Sequence, residues 1–242
     1  MAASFNADPK QVAHVEGGPL AALLRALPGT TQALAPDQHL TLEGSQRRTV
    51  IGVISGTLRS FRMTPDGRRH ITRFVDAGGL IGLGKLSAFR TSTEAVTVSK
   101  IVSFKASALE TLMARDACVR DAVIQSLTNE LVARDRIQFR LGRLWSDERV
   151  ADFLLERAGA AHASHDHNVA LQMSRADIAD HLGVTIETIS RALSRFQRDG
   201  LLHMSDAHHF TIVRPRALAA LAEGDGVHAA QHARSGALET TP

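Results

Sequence analysis

The spacing of apolar residues changes character several times along the chain. Residues 19–33, PLAALLRALPGTTQA, set Leu20, Leu23, Leu24 and Leu27 at helical intervals, and Pro28-Gly29 stops the run. From 34 to about 106 the pattern becomes short β-branched runs between turn signals, which predicts strands. Thr49-Val50-Ile51-Gly52-Val53-Ile54 and the run TLRSFRM at 57–63 flank a Ser55-Gly56 break. The second run ends in Thr64-Pro65-Asp66-Gly67, a β-turn with Pro second and Gly fourth, and 68–75 returns as its partner. A turn at 76–79 precedes Leu80-Ile81, and 93–104 closes a series whose near-regular spacing predicts a barrel or jelly-roll sandwich.

Helical spacing then returns. Ser107-Ala108-Leu109-Glu110 has the capping-box interval, so a helix is expected to start there. Ile124, Leu127, Leu131, Gln138, Leu141 and Trp145 recur at three- and four-residue intervals, in a segment free of Pro and Gly from 114 to 141. At 1.5 Å per residue that helix is about 40 Å long. A helix that outgrows its own domain normally buries its stripe against a partner, the simplest being a second copy of the chain; the alternative is a helix packed wholly within its own chain. The run SDERVADFLLERA at 146–158 predicts another amphipathic helix, and AGAAHASHDHN after it reads as a polar hinge loop.

The segment 169–213 carries the sharpest signal. Ser174-Arg175-Ala176-Asp177 has capping-box spacing and opens a short helix through Ile178, Ala179 and Leu182, closed by Gly183. Thr185 stands where an N-cap would open a second helix, with Glu187 in its first turn. Ile178, Leu182, Val184, Ile189 and Leu193 are spaced to join two helices across that turn, which is the helix-turn-helix pattern. In that geometry the second helix enters the DNA major groove. Glu187, Ser190 and Arg191, at i, i+3 and i+4, share one face and can read base edges: Arg on guanine, Glu from cytosine N4, Ser in either role. Arg195 and Arg198 continue the face, Thr188 lies beside it, and Ser174, Arg175 and Thr185 stand at the helix entrances; these six are candidates for the phosphate backbone. The runs LLHM at 201–204 and HFTIV at 209–213 add a hairpin wing.

Composition narrows the alternatives. The chain has 242 residues, enough for two modest domains, and 44% apolar with 22% charged residues describes a globular protein. The formal charge of +3 permits nucleic-acid binding without requiring it. No apolar run approaches the roughly 20 residues that span a bilayer, and MAASFNADPK lacks the basic-then-apolar order of a signal peptide; a cytoplasmic protein without membrane partners is expected. One cysteine, Cys118, excludes a disulfide framework or multi-thiolate metal site within the chain, and it reads as a small buried residue. Ser, His and Asp occur, but in no nucleophile elbow, P-loop or HExxH spacing, so no enzyme is expected.

The stretch 173–201, with DIADHLGVTIETISRALSRFQRDGLL inside it, closely resembles the C-terminal domain of the CRP/FNR family of bacterial transcription regulators. Its Glu-Thr-Ile-Ser-Arg is similar to the FNR and FixK branch rather than the CRP branch, and GRRHITRF and LIGLG resemble parts of the family's β-roll. The resemblance implies an α+β fold. It comprises a flexible N-terminus (1–18), a jelly-roll, cyclic-nucleotide-binding-like sensor (19–112), a dimerisation helix (113–144), a winged helix-turn-helix (145–226) and a disordered tail (227–242). The dimer helix would use Ile124, Leu127, Leu131, Gln138 and Leu141. It further implies a homodimer, chiefly an activator, that binds double-stranded DNA at a palindrome similar to TTGAT…ATCAA. Arg191 would read the guanine, Ser190 the thymine beside it and Glu187 the G·C pair from its cytosine side. RNA polymerase would be contacted in part by the Pro65-Asp66-Gly67 turn.

The FNR iron–sulfur cluster needs several cysteines, so with Cys118 alone no such cofactor, and no metal, is expected. Cyclic-nucleotide members carry Gly-Glu-Leu and an Arg-Ser/Thr pair; here Gly82-Leu83-Gly84 lacks the carboxylate, while Arg90 and Thr91 imitate the second part as a possible effector pocket. The alternative is a ligand-gated, CRP-like regulator whose β-roll binds a nucleotide, haem or another small effector and tilts the DNA domains about Gly142. His39 and His70 read as surface residues rather than haem ligands, and His162, His165 and His167 as solvated.

Overall fold

The computed structural model describes residues 18–162 and 169–224. In chain order it runs α1 (Pro19–Ala26), β1 (Thr30–Leu34), β2 (His39–Thr41), β3 (Thr49–Ser55), β4 (Thr57–Met63), β5 (Arg69–Asp76), β6 (Leu80–Ile81), β7 (Ser92–Ala95) and β8 (Ser99–Lys105). There follow α2 (Ala106–Met113), α3 (Ala117–Arg143), α4 (Ser146–His162), β9 (Val169–Ala170), α5 (Arg175–Leu182), α6 (Ile186–Arg198), β10 (Leu202–Met204), β11 (His209–Ile212) and α7 (Pro215–Ala222). The chain forms two compact units, divided between Asp135 and Arg136 inside α3.

The first unit is the jelly roll, two four-stranded antiparallel sheets ordered β1-β8-β3-β6 and β2-β7-β4-β5. Leu34, Ile51, Val53, Leu58, Val75, Ile81, Ala95 and Ile101 form one core cluster. Val50, Ile54, Val102 and Phe104, from alternate positions of β3 and β8, join Leu20 and Leu23 of α1, Leu109 of α2, and Val119 and Val123 of α3 in a second. Both faces of β3 are therefore buried, which is why Thr49–Ser55 reads as a continuous apolar run rather than an alternating one. Gly52 in that run is a packing necessity: a Cβ there would sit 2.3 Å from a methyl of Leu20.

Four sequence expectations shift. The first strand starts at Thr30, only four residues after α1, so the roll begins earlier than position 34. The helix α2 begins at Ala106 with Lys105 as N-cap and no side-chain cap. Ser107 is thus already helical, and Glu110 is instead drawn to Arg47, with N···O at 3.3 Å, so the capping box does not form. The long helix starts at Ala117 rather than 113, because Asp116 opens it by accepting from the Val119 N–H at 3.1 Å. Cys118 is exposed, not buried: the inward positions of that turn are taken by Val119 and Val123. The lead-in before Gly18, the histidine loop with His165 and His167, and the tail from residue 225 lie outside the described residues. His162 is the last residue of α4.

In the second unit α4 to α7 pack around Phe153, Leu154, Ile178, Leu182, Ile189, Leu193, Phe196, Phe210 and Leu218, with β10-β11-β9 as a three-stranded antiparallel wing. The strand β9 is too short to be legible beforehand; it pairs Val169 with Phe210 and Ala170 with His209. No helix among the described residues is long and apolar enough to cross a membrane.

Candidate nucleic-acid interface

The site grows from two caps and a turn. Ser174 accepts from the Asp177 N–H at 3.1 Å while the Asp177 carboxylate reaches back to the Ser174 N–H, closing the capping box of α5. Gly183 then adopts φ 64°, ψ 41°, a left-handed cap whose N–H returns to the Ala179 carbonyl. Thr185 caps α6 by accepting from the Thr188 N–H at 3.3 Å. Ile189, Ala192, Leu193 and Phe196 are buried along one side of α6. The opposite side is consequently forced outward, with Glu187 and Arg191 exposed and Ser190 half-buried.

Electrostatics organise that face. The Glu187 carboxyl is held below its usual range by its own backbone N–H, then by the Thr185 hydroxyl and the Arg191 charge, so it is an anion at neutral pH. An ionised carboxylate can only accept hydrogen bonds, which suits cytosine N4. Arg175 of α5 donates from Nη1 to the Ser190 hydroxyl at 3.2 Å. A depression of about 530 Å³ is lined by Ser146, Asp147, Thr188, Ser190, Arg191 and Arg198, among others. Three guanidinium groups border it, a surface that favours polyanions.

Among the backbone candidates, Arg198 is exposed. Arg195 forms an ion pair with Asp147 in the first turn of α4, so part of its charge is neutralised within the protein. The Ser174, Thr185 and Thr188 hydroxyls already serve the helix caps or each other. Within the chain these hydroxyls fix the N-termini of α5 and α6.

Sequence reading missed two residues. Arg149 of α4 is a fork binding three carbonyls, Leu144 at 2.9 Å, Leu141 at 3.0 Å and Leu182 at 3.1 Å, which ties the ends of α3 and α5 together. Nothing in the local pattern distinguishes it from any solvated arginine. Ile186, 47% exposed at the first position of α6, sits next to Glu187 with its side chain unburied, and an apolar residue there was the available signal.

On α3 the side chains of Ile124, Leu127, Leu131 and Gln138 are exposed and Leu141 is half-buried; Val132 and Phe139 add further exposed apolar surface. In the roll, Arg90 is exposed and Thr91 half-buried ahead of β7. The neighbouring segment is held from within: Arg47, its side chain only 6% exposed, donates to the carbonyls of Gly82 at 3.0 Å and Leu86 at 2.7 Å. A nucleotide ribose would need a carboxylate at Gly82-Leu83-Gly84, and the segment has none. His39 is exposed beside Glu94, and His70 is half-buried on β5.

Known proteins share this organisation. Residues 31–116 match the cyclic nucleotide-binding domain and 148–221 the Crp-like helix-turn-helix domain. The nitrogen fixation regulation protein FixK of Azorhizobium caulinodans is 35% identical over 179 residues, covering 73% of this chain and 72% of that protein. The fumarate and nitrate reduction regulatory protein of Escherichia coli is 30% identical over 189 residues, 76% of this chain and 75% of that one. The solved structure of FixK2 from Bradyrhizobium japonicum superposes with a TM-score of 0.76 at 33% identity, covering 80% of this chain and 96% of that one. Fold, interface and matches define a DNA-binding transcription regulator. The chain belongs to the CRP/FNR family, and within it is FixK-like.

Proposed function

We propose that the protein works as a homodimer, chiefly as an activator, on a palindrome similar to TTGAT…ATCAA, without an iron–sulfur cluster. The observation that carries this reading is the open face of α6, where an ionised Glu187, Ser190 and Arg191 stand together because Ile189, Ala192, Leu193 and Phe196 occupy the buried side. Arg191 donates bidentately to guanine, Ser190 meets the adjacent thymine, and Glu187 accepts from cytosine. Arg175 and Arg198 serve the phosphates, with Arg195 shared between phosphate and Asp147.

Dimerisation is supported by the exposed Ile124, Leu127 and Leu131 on α3, a seam that two copies would bury against each other. Contact with RNA polymerase is assigned in part to the exposed turn between β4 and β5, where Asp66 is bonded to Thr64 and Arg68. Control by protein abundance or modification, rather than by an effector, is favoured by two features of the roll: the missing carboxylate at Gly82-Leu83-Gly84 and the internal tie from Arg47.

The test is fluorescence anisotropy of the purified protein, in air and without effector, on a TTGAT…ATCAA duplex and a scrambled one at one fixed salt concentration. Tight and selective binding supports an effector-free dimer. Weak or unselective binding overturns it and transfers weight to a ligand-gated roll.

A further inference from the structure

The contact between α5 and α6 beside the reading face gives Arg175 a second task. Guanidinium has donors and no acceptor, so in the 3.2 Å contact from Arg175 Nη1 the Ser190 Oγ must be the acceptor. The Ser190 hydroxyl is otherwise ambivalent and can accept from a base amino group or donate to a base carbonyl. With a lone pair engaged by a charged donor, the hydroxyl is biased to present its hydrogen to the groove. A cationic donor also polarises the O–H, strengthening it as a donor. Both partners have fixed backbone frames: Arg175 is the first residue of α5, behind the Ser174–Asp177 capping box, and Ser190 is held by its buried neighbours Ile189 and Ala192.

We propose that Arg175 is a positioning residue for base recognition: by donating to the Ser190 hydroxyl it makes Ser190 a donor, which selects thymine O4 over the cytosine amino group at that base pair. The inference rests on the assignment of Ser190 to the thymine beside the guanine. It differs from a plain phosphate contact, which would add affinity on every sequence alike.

The full-length chain and its Arg175→Ala, Ser190→Ala and double variants are titrated on TTGAT…ATCAA, on the symmetric TCGAT…ATCGA duplex and on random DNA, at one salt concentration. Arg175 is exposed, so its loss leaves the helix-turn-helix core intact. The expected result is that Arg175→Ala lowers the preference for T over C roughly tenfold, and that Ser190→Ala does the same. Adding Arg175→Ala to Ser190→Ala should then change that preference no further. Arg175→Ala weakening all three duplexes by one factor, additively with Ser190→Ala, overturns the inference while leaving the Ser190 assignment standing. Ser190→Ala leaving the preference intact overturns that assignment and the inference with it.

Discussion

Replacing Asp152 by Ala removes the carboxylate that two arginines of α3 share. Arg140, whose side chain is 1% exposed, donates to Asp152 at 2.6 Å and to Glu156 at 2.5 Å; Arg136 also pairs with Asp152. Breaking a buried pair costs about 3–5 kcal/mol because a charge is left uncompensated. Here Glu156 remains, so the loss at Arg140 is reduced to about 2–3 kcal/mol. Arg136, 47% exposed, adds at most about 1 kcal/mol after solvent screening. For a unit of roughly 100 residues the combined loss of about 2–4 kcal/mol lowers Tm by about 8–20 °C. Trp145 is the one tryptophan and belongs to the second unit, so its fluorescence during urea or thermal unfolding follows this unit separately from the roll. The pH dependence has a definite sign. Burial raises the Asp152 pKa, but the hydrogen bonds and charges of Arg136 and Arg140 outweigh it and hold the carboxyl below its ordinary 3.8. A depressed native value contributes stability that is complete above the unfolded pKa and disappears as pH falls through the native one. The gap between wild type and variant should therefore be constant from neutral pH down toward 3.8 and close below it. A variant within about 0.5 kcal/mol of wild type, or a gap that widens on acidification, would refute the reasoning.

Further outcomes are expected. Arg191→Ala should cost about 1–3 kcal/mol on the cognate duplex and relax one base pair, whereas Arg198→Ala should weaken all sequences similarly; equal losses on specific and random DNA for Arg191→Ala would contradict its role. Gly183→Ala should destabilise the second unit by about 1–2 kcal/mol through left-handed backbone strain, since the added methyl meets Leu141 Cδ2 at an ordinary 3.6 Å; an unchanged urea midpoint would refute it. Leu131→Asp places a charge on the exposed seam of α3 and should shift the particle to monomer mass in light scattering, with selective DNA binding lost; an intact dimer would remove the seam from the interface. Substitution of the Pro65-Asp66-Gly67 turn should lower transcription in vitro and leave operator affinity unchanged, and a joint fall in both would sink the polymerase assignment.

How much was readable depended on whether the determining physics was local. The Ser174–Asp177 capping box, Gly183 at the turn, the Thr185 cap and the apolar positions of α6 all depend on neighbours within four residues, and each appears as the sequence implies. The face of α6 follows from the same spacing, since burying Ile189, Leu193 and Phe196 turns Glu187 and Arg191 outward by helical geometry alone. The β4–β5 hairpin was legible from its turn signals and β3 from its unbroken apolar run, whereas β1 and β2 were not, and the closing segment divides into β7 and β8 on different sheets.

What the sequence left undecided depends on residues far apart along the chain. Ser107 and Glu110 satisfy the local capping rule, yet Arg47, sixty-three residues away, holds the carboxylate, and the helix starts without the box. Cys118 could have faced either way until the roll claimed Val119 and Val123. Arg149 acquires its role only when the ends of two other helices bring three carbonyls to one guanidinium, and Arg175 meets Ser190 across fifteen residues of turn and helix. Capping and helical periodicity act over one or two turns and are written in the sequence by itself; which charged side chain finds which partner is decided only when the tertiary structure brings distant residues within hydrogen-bond reach.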